Sequence, residues 1–168
     1  MNDENSHIES ESEYSRILDH VAIACVDALV INEGKLLLGK RANKPNQSWW
    51  IFGGRMWPGE AFKDTARRGA KRETGLEIDK SRFEKLDVYN LIWPERNEHP
   101  QTKKCHHVLV AMYVEISNDE AERIVLQNDH TEYLWLDLSD VKTFMNKFCP
   151  ELNLIITDIC KKLHYSVT

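Results

Sequence analysis

The chain has 168 residues, 42% hydrophobic and 29% charged, with 27 acids against 22 bases and a net charge of −5. That length and apolar content suit one domain with a single core. Seven glycines and five prolines exclude a collagen-like or low-complexity chain, and no apolar run approaches the ~20 residues of a membrane helix.

The opening stretch, MNDENSHIESESE, is acidic where a secretory or mitochondrial leader is basic and apolar. Six acids (Asp3, Glu4, Glu9, Glu11, Glu13, Asp19) face a single base, Arg16, over residues 1–19. With these removed, acids and bases balance in the remainder, which argues against a phosphate-backbone binder resting on a basic face. Residues 1–15 are expected to form an acidic, flexible arm, and 16–168 one folded domain. Cys25, Cys105, Cys149 and Cys160 make no C-x-x-C pair. They read as reduced thiols in a cytoplasmic protein.

Val21–Ile31 alternates as a strand, with Val21, Ile23, Cys25, Asp27, Leu29 and Ile31 on one face. Asn32-Glu33-Gly34 is a turn signal, and Lys35–Arg41 reads as the partner strand of a hairpin. Trp49–Phe52 is a short aromatic strand ending at Gly53-Gly54. Residues 60–74 read as a helix capped by Gly75. Strands are expected over Phe83–Trp93 and His106–Ile116, joined by the polar loop Pro94–Lys104, and a short one over Tyr133–Leu136. Ser139 reads as the cap of a helix carrying Phe144, Met145 and Phe148. A last helix shows Leu152, Ile155, Ile156, Ile159 and Leu163 at helical spacing, for core or dimer packing. The order predicts a mixed α/β sandwich in one domain.

Two carboxylates break the apolar pattern. With Phe62 set at 0° on the helix, Ala66 falls at about 40°, Gly69 at about −20°, Ala70 at about 80° and Glu73 at about 20°. Glu73 therefore lies inside the apolar arc, where an unpaired charge costs several kcal/mol. It needs either an arginine partner or a divalent metal. Asp27 repeats the anomaly on its strand, as a satisfied structural acid or a functional one.

Residues 53–76 carry a resemblance. Gly54, Glu60, Arg68, Ala70, Glu73, Gly75 and Leu76 sit in register with the Nudix box, G-x5-E-x7-R-E-U-x-E-E-x-G-U. Gly69 stands where the first Glu of R-E-U belongs, and Arg72 replaces the first of the paired Glu. LLLGKR at 36–41, Asn43, Pro45, Trp49-Trp50, GGR at 53–55, and Asp129-His130 followed by Tyr133 and Trp135 resemble the GDP-mannose mannosyl hydrolase branch. The resemblance runs from about Val21 to Leu136.

It implies a Nudix-type α/β/α sandwich with a mixed β-sheet and hydrolysis at the anomeric carbon of a nucleotide sugar, GDP-mannose or GDP-glucose. It also implies one Mg²⁺, with Mn²⁺ as a substitute, and a homodimer. By position the metal ligands are the Gly53 carbonyl, Glu73 and Asp129, the last standing where the family has Gln. His130 matches the general base. Asp27, Arg41 and Arg55 match residues lining the diphosphate and sugar site, with Arg68 in support.

Two other readings compete: phosphoanhydride cleavage of another nucleotide derivative, and a nucleotide-binding module that has lost catalysis. His106-His107 opens a strand, so the two rings face opposite ways and make poor joint ligands. Trp49, Trp50 and Trp93 are candidates for stacking on a base or for core packing. Lys103-Lys104 reads as a solvated face.

Overall fold

The structure, a computed structural model, describes residues 10–127, 130–144 and 147–166. Among these residues, four α-helices, α1 (Glu11–Leu18), α2 (Phe62–Thr74), α3 (Asn118–Ala121) and α4 (Pro150–Lys162), flank strands β1 (Ile23–Asn32), β2 (Lys35–Arg41), β3 (Trp49–Trp50), β4 (Phe52–Arg55), β5 (Glu84–Trp93), β6 (Cys105–Glu115) and β7 (His130–Asp137). The strands form one mixed sheet in which β1 runs parallel to β6 and every other pairing is antiparallel.

Alternation along β1 builds both cores. Cys25, Leu29 and Ile31 face a layer containing Leu18 of α1 and Leu152, Ile155, Ile156 and Ile159 of α4. Val26, Ala28 and Val30 face Ala66 and Ala70 of α2. The expected sandwich is what forms, with helices on both sides of a mixed sheet. Glu33 and Gly34 take φ of 46° and 74° at the tip of the β1–β2 hairpin. Positive φ at both central residues suits the twist of the two strands.

One edge of β1 is shared. It pairs with β2 at Ile31 and Asn32 and with β4 at Cys25–Ala28. The sheet forks there: β2 leaves with β3 and β7, while β4 stays against β1. The aromatic strand expected over Trp49–Phe52 is accordingly two strands, β3 on β2 and β4 on β1.

Helix α2 lies directly on β4. A Cβ on Gly69 would come within 2.7 Å of Gly53 Cα, and one on Gly53 within 2.3 Å of the Val26 carbonyl oxygen. Close backbone approach therefore dictates glycine at both positions and leaves no room for the Glu that the box pattern has at 69. Ala66, Gly69 and Ala70 are buried as the periodicity requires, but Phe62, the residue used to set the arc, is 45% exposed. Gly75 ends the helix at φ 73° and returns its N–H to Lys71.

Three expectations change. Residues 11–15 belong to α1 rather than to a flexible arm. Ser10 caps the helix, and its far end is tied to the 94–104 loop: Ser15 Oγ donates to the His99 carbonyl, and Arg96 and Lys103 pair with Asp19. Lys103 is thus an ion-pair partner as well as a surface residue. Ser139 does not cap a helix; Asp137 accepts from its N–H and opens a 3-10 segment over Leu138–Thr143. Met145 of the expected helix lies outside the described residues.

Candidate active site

The fork in the sheet opens a cavity of about 250 Å³ lined by Asp27, Arg41, Gly53, Arg55, Glu73 and His130, each singled out from the sequence, and also by Arg72 and His107. Each wall residue is set by its element. Asp27 lies on β1 opposite Gly53 of β4, and Arg41 ends β2 opposite His130 of β7. A register shift between Lys40 and Arg41 turns His130 inward. Gly39 leaves the ring its space, since a Cβ there would lie 2.4 Å from the imidazole Cδ2. The His130 side chain is 3% exposed, 5.1 Å from the Phe52 ring centroid and 4.0 Å from Glu73 Oε2.

Asp27 is a buried acid with a donor: Trp50 Nε1–H donates to its Oδ2 at 2.8 Å. Burial pushes its pKa up to about 6, against the pull of that hydrogen bond, with the Glu73 charge adding to the rise. Glu73 is held by the peptide of Gly53, whose N–H donates to Oε2 at 3.0 Å, and by Arg72 Nη2, which donates to Oε1 at 2.8 Å. Burial raises its pKa and the Arg72 charge opposes that rise.

The same Arg72 Nη2 also donates to the Gly53 carbonyl oxygen at 2.8 Å. Both oxygens that position assigns to a metal therefore meet on one guanidinium nitrogen. Asp129, the third assigned ligand, lies outside the described residues. Among the described residues no group of three or more His, Cys, Asp and Glu is placed to hold a metal ion. The described donors, in this arrangement, fit an arginine and not a divalent cation.

Arg55 lies with its guanidinium carbon 4.6 Å from the Tyr14 ring centroid, so α1 supplies one wall of the cavity. Arg68, expected in support, is not among the lining residues. Its Nε and Nη2 donate to Glu60, Nη2 also donates to the Arg55 carbonyl, and its guanidinium carbon lies 3.7 Å from the Trp57 ring centroid. It therefore ties the end of β4, where Arg55 sits, to the segment that follows it.

Sequence reasoning missed His107, Arg72 and Tyr14. His107 had a signal, because it shares strand parity with Cys105, Leu109 and Ala111 on the cavity face. Burial lowers its pKa to about 4, reinforced by the Arg41 charge and by His106. His106 faces away, 3.4 Å from Asn90 Oδ1, as alternation requires. Trp50 and Trp93 are buried edge-to-face, with centroids 5.4 Å apart, and both line the cavity; Trp49 is half-buried, with Lys40 Nζ 5.8 Å from its ring.

Known proteins resemble this chain in part of its sequence or in its fold. The low-salt glycan biosynthesis protein Agl8 of Haloferax volcanii is 32% identical over 69 residues, 40% of this chain and 44% of its own length, so less than half of that relative is matched. The bifunctional NMN adenylyltransferase/ADP ribose pyrophosphatase of Francisella tularensis, solved with AMP and a Mn ion, superposes with a TM-score of 0.65 at 19% identity, covering 90% of this chain and 46% of that one. The NUDIX domain of Shewanella oneidensis NrtR, solved with ADP ribose, gives 0.61 at 19% identity, covering 92% and 99%. These two structures share the fold. Residues 21–152, most of the chain and all of the forked sheet, match the NUDIX domain model, and the chain belongs to the Nudix family.

Proposed function

We propose that this Nudix protein hydrolyses a nucleoside diphosphate sugar, with GDP-mannose or GDP-glucose as the first candidates, releasing GDP and the free sugar. The observation that carries the reading is the meeting of His130 with Arg41, Arg55 and Asp27 in one cavity. Breaking a glycosidic C–O bond requires a neutralised leaving group and a base for water on the opposite face of the sugar. Arg41 and Arg55 are suited to the diphosphate, because a guanidinium stays charged and matches phosphate oxygens. His130 is the base, drawing the proton from the attacking water. Asp27, fixed by Trp50, accepts from a sugar hydroxyl or from that water. The partial match to a glycan biosynthesis protein is consistent with sugar chemistry.

The resemblance adds a magnesium requirement, replaceable by manganese, and a homodimer, and the cysteine pattern adds a cytoplasmic setting. The arginine on the Gly53 and Glu73 oxygens stands against the first of these. The test is product identification after incubation with GDP-mannose, in EDTA and in magnesium. GDP and mannose support attack at the anomeric carbon. GMP and mannose 1-phosphate mean attack at phosphorus, and binding without turnover means a recognition module.

A further inference from the structure

We infer that Arg72 is a built-in cation of this site: its guanidinium takes the place between the Gly53 carbonyl and the Glu73 carboxylate that an ion would take, and excludes the ion. Adjacent residues of a helix point about 100° apart, so Arg72 and Glu73 do not meet by helix geometry alone. They converge because both reach the backbone of one residue, Gly53, Glu73 at its N–H and Arg72 at its carbonyl. Gly53 N–H donates to Glu73 Oε2, the Gly53 carbonyl accepts from Arg72 Nη2, and Arg72 Nη2 closes the ring on Glu73 Oε1.

The pocket for the guanidinium is shaped by small residues. A Cβ on Gly54 would lie 3.1 Å from Arg72 Nη2, and the contact of Gly69 with Gly53 lets the helix come close enough for both side chains to reach. The Glu73 side chain is 12% exposed and that of Arg72 35%. The charge opposing the buried carboxylate therefore arrives from the cavity side, where an ion would enter.

A divalent cation bound here would have to displace a hydrogen-bonded guanidinium from two oxygens, then remain beside its positive charge. An arginine tethered one residue from the carboxylate is always present, whereas an ion must be captured from solution. Offsetting the charge of Glu73 thus needs no ion, and the cavity lining includes Arg41, Arg55 and Arg72.

The test is Mn²⁺ binding to the whole chain, read as loss of the free-ion EPR signal and by calorimetry, with Mn²⁺ alone and no nucleotide. Melting curves establish that each variant is folded. The wild-type chain is expected to show no Glu73-dependent binding. R72A and R72Q are each expected to bind one Mn²⁺ roughly 10-fold or more tighter than wild type, and E73Q in either background to abolish the gain. Wild-type binding that depends on Glu73 and equals that of R72A overturns the inference. So does a folded R72A and R72Q that gain no ion. The readout is metal binding alone, so it stands apart from the substrate reading.

Discussion

Two arginines of helix α2, Arg68 and Arg72, lie one turn apart, and each pairs with a glutamate: Glu60 in the segment before the helix and Glu73 on the helix itself. The two pairs are built for opposite ends. Arg68 reaches Glu60 through two nitrogens, at 2.6 and 2.7 Å, while the Trp57 N–H and the Thr65 hydroxyl also donate to that carboxylate. Burial acts to raise the Glu60 pKa, but these donors outweigh it and bring it down to about 2. Arg72 offers one nitrogen to Glu73, the peptide of Gly53 offers one more donor, and there burial raises the pKa. Residue type therefore does not separate a structural acid from a site acid; the number of donors around a buried carboxylate does. The Glu60 pair is saturated and holds a loop. The Glu73 pair is lightly held, lines a cavity and lies beside His130.

The largest expected effect is on the cavity side. His130→Gln should lower kcat on a nucleotide sugar by roughly 10²–10⁴ with KM little changed, since a base acts in the transition state more than in binding. Steady-state kinetics decide it, and an unchanged kcat removes His130 from the chemistry.

On the structural side, the Glu60 pKa is about 2 in the fold against 4.5 when unfolded, so between those values the unfolded state binds more protons. Its stabilisation, about 3 kcal/mol, is complete above pH ~4.5 and is lost as pH falls toward 2. Glu60→Gln should remove that acid-side slope in denaturation curves taken across this range. A parallel slope in wild type and variant means that Glu60 is not tightly held.

Gly69→Ala should destabilise by about 1–3 kcal/mol, although alanine is the better helix former, because its Cβ would press on β4. Chemical denaturation reads this directly, and a more stable variant would show that the helix does not sit against Gly53. The smallest stability effect is expected for Arg72→Gln, under about 1 kcal/mol, because its side chain is over a third solvent-exposed. A loss as large as that for Arg68→Ala, about 2–3 kcal/mol, would erase the contrast between the pairs.

Much of this was legible in the order of residues, and the gaps have physical causes. The β1–β2 hairpin, α2 with its glycine cap, β5, β6 and α4 follow from period and turn chemistry, which are local. Helix α1 was not legible, because its tethers, His99, Arg96 and Lys103, lie more than 75 positions away and its own composition reads as solvated. The split of Trp49–Phe52 needed the fork in the sheet. Asp27 and Glu73 stood out as acids on apolar faces, yet what satisfies each (Trp50 for one, Gly53 and Arg72 for the other) depends on contacts between elements. Helical angles placed Arg72 outside the centre of the apolar arc. They say nothing of a long side chain curling back to a neighbouring strand.

Hydrolysis of GDP-mannose in oxygen-18 water tests the central claim most directly, because it reports which atom the water attacks. With attack at the anomeric carbon, the heavy oxygen should appear in free mannose, with GDP unlabelled. Heavy oxygen in GMP or in mannose 1-phosphate would contradict it.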